Sequence, residues 1–87
     1  MPKLEKEVVV MNPQGLHARP AAVFVQIASK YDATITVQKG KEKVNGKSIM
    51  GILMLGAQQK STVILMVEGE DAESAMQELV EFLNKNE

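Results

Sequence analysis

Residues 12–20 of the chain read NPQGLHARP, and this stretch sets the architecture because it separates the first strand from the first helix. The valine-rich residues 7–11 before it predict a strand, and its Pro and Gly predict a sharp break. From residue 18 to about residue 30 apolar side chains recur with helical spacing; Pro20 fits because first-turn N–H groups have no acceptor within the helix. The sequence therefore predicts that His17 lies at a helix N-terminus.

Beyond this helix the pattern switches several times between alternating and helical spacing. The predicted elements are strands at residues 34–38, 41–44 and 61–67 and a helix at residues 71–83. Residues 48–55 fit either a two-turn helix with Ser48 as its N-cap or a buried strand, and we favour the helix. The order predicts one α+β domain over residues 1–87, with helices on one face of a mainly antiparallel sheet.

Composition narrows the class of protein. The chain has 87 residues, of which 45% are hydrophobic, and this fits one globular domain. It has no cysteine, and a lone histidine cannot make a multi-histidine site, so we predict no disulfide, no metal and no cofactor. The net charge of -1 argues against nucleic-acid binding. The charged first residues and short apolar runs predict neither a signal peptide nor a membrane span, so a cytoplasmic protein is expected.

The first candidate site is His17 with Arg19. A helix N-terminus gathers free N–H groups and the positive end of the helix dipole, which together suit an anion such as phosphate. Neutral imidazole has a lone pair that can attack phosphorus, and a guanidinium two residues away can offer paired donors to phosphate oxygens. The alternative is that His17 only caps the helix and Arg19 makes a surface contact. A hydrolytic triad is disfavoured because the chain has no second histidine and no cysteine.

The second candidate is an apolar patch on residues 48–55. At helical spacing Ile52 and Leu55 fall on one arc, which we assign to the core. The other arc is expected to face solvent and to dock a partner protein. We call it the apolar patch, and it consists of Ile49, Met50, Leu53 and Met54, chiefly the first three. The alternative keeps the whole run buried.

Ser48 stands at the start of the same predicted helix. We expect it to be exposed, and a phosphate there would add charge beside the apolar patch while remaining compatible with the helix dipole. The simpler alternative is an ordinary serine N-cap, with Lys47 as a solvated charge.

The motifs GLHARP at residues 15–20 and NGKSIMG at residues 45–51 resemble the HPr family, the histidine-containing phosphocarriers of the bacterial sugar phosphotransferase system. The resemblance covers nearly the whole chain. It implies a carrier rather than a complete enzyme, built as an open-faced sandwich with three helices on a four-stranded antiparallel sheet of order 1-4-2-3. It also implies that enzyme I phosphorylates Nδ1 of His17 at the expense of phosphoenolpyruvate, and that Arg19 and the N–H groups of Ala18 and Arg19 support the phosphate.

The resemblance also implies partners. Enzyme IIA domains would receive the phosphoryl group for sugar uptake, docking on Leu16, Ile49, Met50 and Leu53. Ser48 matches the serine modified by HPr kinase/phosphorylase, which links the family to a catabolite-control transcription factor and carbon catabolite regulation. A monomer is expected.

Two other functions stay open from the sequence. One is a nitrogen-branch phosphocarrier, and the other is a regulatory binding module acting through Ser48. The regulatory paralogue with glutamine at the active position is disfavoured because His17 is present. Gln14, Gln59 and Lys60 depart from common family patterns, so the loop beside His17 and the turn before Ser61 are less well specified.

Overall fold

The structure is a computed structural model that describes residues 1–85. The elements are β1 (Lys3–Val9), α1 (Ala18–Ser29), β2 (Thr34–Lys39), β3 (Glu42–Asn45), α2 (Ile49–Leu55), β4 (Thr62–Glu68) and α3 (Ala72–Asn84). Their order is the predicted one. Within residues 1–85 no helix has both the length and the apolar character needed to cross a membrane.

The four strands form one antiparallel sheet of order β1-β4-β2-β3, which confirms the predicted order 1-4-2-3. Side chains alternate between its faces. One face carries the buried Val8, Val63, Leu65, Ile35 and Val37, and the apolar sides of the three helices cover it. The three helices therefore lie on a single face of the sheet, as an open-faced sandwich requires.

The first strand differs from its prediction. The sequence pattern predicts a strand at residues 7–11, whereas β1 spans Lys3–Val9. β1 is an edge strand that pairs only with β4, so charged side chains are tolerated along its length and hide the strand pattern. It ends early because the N–H of Met11 donates to the carbonyl of Leu83 at 2.8 Å and thus pairs with α3 rather than with the sheet.

The second helix is the predicted one, and the alternative of a buried strand is wrong. The hydroxyl of Ser48 accepts a hydrogen bond from the N–H of Gly51 at 3.0 Å, which makes it a side-chain N-cap. At the other end Gly56 adopts the left-handed conformation, with φ 65° and ψ 30°, and closes the helix. Ile52 and Leu55 are buried as predicted.

The start of α3 has a role that the sequence did not indicate. Asp71 occupies the N-cap position without a side-chain cap hydrogen bond. Its carboxylate instead accepts from the N–H groups of Asp32 at 2.8 Å and Ala33 at 3.0 Å. These bonds tie the beginning of α3 to the residues just before β2.

A side-chain cluster joins α1 to α3. Glu78 accepts a hydrogen bond from the ammonium of Lys30 at 2.7 Å and another from the hydroxyl of Tyr31. The hydrogen bond from Lys30, followed by that from Tyr31, holds the pKa of Glu78 below 4.5. The same carboxylate raises the pKa of Tyr31 above 10.0, mainly through their hydrogen bond. The ionised carboxylate is therefore the form of Glu78 that stabilises the fold.

We predict a pH-dependent contribution of Glu78 to stability. Because its pKa is lowered in the folded state, the contribution is complete above the unfolded pKa and is lost as the pH falls through the folded pKa. Glu78→Gln is therefore expected to lower the free energy of unfolding at about pH 7 and to have a smaller effect at about pH 3. Urea denaturation at both pH values measures this.

Glu81→Gln is the matched control, because it makes the same change at an exposed position of the same helix. The account is contradicted if the two variants lose stability equally at neutral pH, or if the effect of Glu78→Gln does not depend on pH.

Candidate functional site

His17 stands at the N-cap position of α1 in an extended conformation, with φ -80° and ψ -167°. Its side chain makes no capping hydrogen bond and its residue is exposed, while its carbonyl accepts from the N–H of Ala21 at 2.8 Å. The backbone of His17 thus starts the helix and leaves the imidazole facing solvent. His17 therefore occupies the N-cap position, but its imidazole does not cap the helix.

The first turn of α1 offers donors for an anion. Ala18 and Arg19 carry first-turn N–H groups, for which the helix itself provides no acceptor, and Pro20 has no N–H to offer. Both residues are exposed, and the first turn contains no acidic residue. The two amides and residue Arg19 therefore belong to the same first turn as His17, at the positive end of the helix dipole.

A cleft of about 340 Å³ adjoins Arg19, and no motif in the sequence indicates it. Its walls come from Asn12, Pro13, Gln14, Arg19, Pro20, Val23 and Phe82. Phe82 lies on α3, far along the chain from the other lining residues, so no local pattern could have predicted the cleft.

Leu16 does not belong to the surface to which the sequence analysis assigned it. It is only 1% exposed, so its side chain packs in the core and cannot contact a partner. Its N–H donates to the carbonyl of Ala57 at 2.8 Å. Gly15 adopts φ +62°, and a β-carbon there would lie 2.6 Å from the oxygen of Ala57. Close packing of these two residues against Ala57 fixes the loop from which His17 projects.

The segment that supports this loop contains a strained residue. Lys60 has φ 73°, a left-handed conformation that side chains with a β-carbon adopt at a cost. Its N–H donates to the carbonyl of Val10 at 2.6 Å, and the side-chain amide of Gln59 donates to the carbonyl of Met11 at 3.3 Å. Gln59 and Lys60, two of the three positions that depart from the common family pattern, are therefore hydrogen-bonded to Val10 and Met11, which precede the His17 loop.

The apolar patch is exposed as predicted. Ile49, Met50, Leu53 and Met54 all face solvent, and Met54 is the most exposed of them at 72%. The patch lies next to the His17 loop. α2 ends at Leu55, and the chain runs through Gly56 directly to Ala57. The carbonyl of Ala57 accepts the hydrogen bond from Leu16, the residue before His17. Met54 is thus a main member of the patch, although the sequence pattern indicates chiefly Ile49, Met50 and Leu53.

The other end of α2 needs two corrections. Ser48 is half-buried rather than exposed, because its hydroxyl is turned toward the N–H of Gly51. Lys47 is not simply solvated, since its ammonium donates to the carbonyl of Tyr31 at 2.6 Å. Ser48 is about 10 Å from the C-terminal end of α2, the end next to the His17 loop, given a rise of about 1.5 Å per helical residue.

The described residues do not build a metal site. Between Met1 and Lys85 no group of three or more His, Cys, Asp or Glu side chains could hold a metal ion. The start of α1 offers an exposed imidazole and free first-turn N–H groups, with Arg19 in the same turn.

Comparison with known proteins identifies the family. The family described as "PTS HPr component phosphorylation site" matches residues 4–85. The chain belongs to the HPr family. The family consists of phosphocarrier components of the phosphotransferase system rather than of catalytic enzymes.

Relatives within the HPr family carry different names. The chain is 45% identical over 82 residues to the HPr-like protein Crh of Halalkalibacterium halodurans. The aligned residues make up 94% of this chain and 98% of the relative. The chain is 41% identical over 76 residues to the phosphocarrier protein NPr of Shewanella violacea, over 87% of this chain and 84% of the relative. The crystal structure of the phosphocarrier protein HPr from Bacillus anthracis superimposes with a TM-score of 0.93 at 40% identity, over 97% of this chain and 100% of that one.

We predict that Lys60→Gly raises the free energy of unfolding by about 1 kcal/mol, because glycine removes the β-carbon from a left-handed backbone. Urea denaturation measures the change. Lys60→Ala is the control, since it removes the charge but keeps the β-carbon, and it should leave stability within about 0.5 kcal/mol of wild type. Equal stability of the Gly and Ala variants would mean that Lys60 stores no backbone strain.

Proposed function

We propose that His17 accepts a phosphoryl group on Nδ1 from phosphorylated enzyme I and passes it to enzyme IIA domains that serve sugar uptake. The observation that carries this proposal is the exposed imidazole at the start of α1, which makes no capping bond and has Arg19 in the same turn. Membership of the HPr family supports it.

The transfer is a displacement at phosphorus. The Nδ1 lone pair forms a bond to phosphorus while the bond from phosphorus to the donor breaks, and the electron pair of that bond leaves with the donor group. The N–H groups of Ala18 and Arg19 and the guanidinium of Arg19 hold the phosphate oxygens, where they balance the added charge. The onward transfer repeats the displacement in the opposite sense. Because positioning and charge stabilisation make up most of this chemistry, a small site completed by the partner is sufficient.

The apolar patch is the proposed docking surface for both partners. Ile49, Met50 and Leu53 are exposed apolar side chains, and Met54 extends the patch toward the His17 loop. Large exposed apolar side chains grouped on one helix are typical of protein interaction sites. A partner seated on α2 would therefore have its own active group near the imidazole.

A second candidate function, regulation through Ser48, is favoured by the cap of α2. Phosphorylation by an HPr kinase/phosphorylase would replace the hydroxyl acceptor of Gly51 with phosphate oxygens, which suit a helix N-terminus equally well. The helix would persist while about two negative charges appear beside the apolar patch. Docking of enzyme I and a catabolite-control transcription factor would then change without a change in fold.

We also propose that the chain works as one domain, as a monomer, in the cytoplasm. Support for the monomer comes from β1, an edge strand of the sheet. Its charged residues are Lys3, Glu5, Lys6 and Glu7. Charged side chains on an edge strand disfavour pairing with a second sheet.

The test is incubation with enzyme I and phosphoenolpyruvate, followed by intact-mass measurement. Wild type is expected to gain one acid-labile phosphoryl group, and His17→Ala none. Arg19→Lys should be labelled at a rate lower by about tenfold or more, because lysine cannot offer paired donors. Glu81→Gln on α3 is the control and should be labelled like wild type.

Labelling of His17→Ala at the wild-type rate would contradict the proposal. Running the assay with enzyme I of the sugar branch and of the nitrogen branch separates the two pathways. Faster labelling by enzyme I of the nitrogen branch would assign the chain to that branch instead of to sugar uptake.

A further inference from the structure

The six methionines of the chain differ sharply in exposure. Met76 is buried at 7%, and Met11 and Met66 are half-buried. Met50 and Met54, in contrast, are 63% and 72% exposed. They are four residues apart and therefore lie on the same side of α2, one turn from each other. Met1, the remaining exposed methionine, precedes β1 and lies outside the apolar patch.

We propose that Met50 and Met54 form a reversible oxidation site, and that their conversion to methionine sulfoxide weakens partner docking on the apolar patch. This inference rests on the proposed function, because it requires that the patch be the surface on which phosphoryl donors and acceptors dock.

The reaction requires a two-electron oxidant of the peroxide class. A lone pair on the methionine sulfur attacks one peroxide oxygen, the O–O bond breaks, and an S–O bond forms. The sulfur loses two electrons, and the second oxygen leaves as water after taking up a proton. Thiol-dependent methionine sulfoxide reductases reverse the change, since two thiols become a disulfide while the sulfoxide oxygen leaves as water. The exposure of both sulfur-bearing side chains makes them accessible to the oxidant and to the reductase.

Oxidation is expected to act on docking because it changes the chemistry of the patch. A sulfoxide oxygen is a strong hydrogen-bond acceptor, whereas the neighbouring Ile49 and Leu53 have no side-chain donor. The N–H groups inside a helix already donate to its own carbonyls. A partner that covers the patch would therefore bury an acceptor without a donor, which opposes binding.

The fold itself should tolerate the oxidation. α2 is anchored by Ile52 and Leu55, which are buried, and by the caps at Ser48 and Gly56. Neither Met50 nor Met54 contributes to that buried side. The loss should therefore appear in partner recognition rather than in stability.

The test treats this chain alone with hydrogen peroxide and removes the peroxide before enzyme I is added. Peptide mapping by mass spectrometry is expected to find Met50 and Met54 oxidised well before Met76. In the phosphorylation assay the KM for this chain is expected to rise about tenfold, equivalent to about 1.4 kcal/mol, with the final extent of labelling unchanged. Treatment with methionine sulfoxide reductases should restore the original KM.

The matched control is the Met50→Leu/Met54→Leu double variant, which keeps the patch apolar but removes both sulfurs. Its own KM before peroxide is the reference, and that KM should not change after peroxide treatment. The inference is overturned if wild type with both sulfoxides keeps its KM, if the double variant loses as much as wild type, or if Met76 is oxidised as fast as Met50 and Met54. Failure of the proposed function has a different signature, because untreated wild type would then gain no phosphate, and that result would remove both claims.

Discussion

The contact between Leu16 and Ala57 organises the functional end of this protein. Leu16 is buried and its N–H donates to the Ala57 carbonyl, while Gly15 packs so closely on the same carbonyl that a β-carbon would not fit. The next residue, His17, is consequently turned toward solvent at the point where α1 begins. An exposed imidazole is held in place by backbone contacts, so none of its own ring atoms is used to position it.

The same contact couples the imidazole to the apolar patch. Ala57 follows Gly56, whose left-handed conformation ends α2. A displacement of the His17 loop would therefore move the end of α2 that carries Met54, through the hydrogen bond from Leu16 to Ala57. The proposed phosphoryl site and the proposed docking surface are thus adjacent in space although their motifs are far apart in sequence. Ser48 lies at the opposite end of α2, where added charge would affect docking more than it affects the imidazole.

Local signals explain what the sequence could predict. The serine at the start of α2, the helical spacing after His17 and the alternating pattern of residues 34–38 each act within a few residues, and all of them are confirmed. The corrections to Leu16, Lys47 and the end of β1 come from contacts between distant segments. Leu16 directly precedes His17 in sequence, but only its packing against the core reveals that it is buried. The partners of Asp71 are 39 and 38 residues away, and nothing near Asp71 indicates them.

The central claim is that the free amides at the start of α1 hold the phosphate carried by His17. The most direct measurement is the proton chemical shift of each amide before and after phosphorylation, recorded by NMR on the labelled protein. The account predicts a large downfield shift for the Ala18 and Arg19 amides and a smaller one for the Leu16 amide, which is already bonded to Ala57. Equal small shifts for all three amides would contradict it, because the phosphate would then lie away from the helix N-terminus.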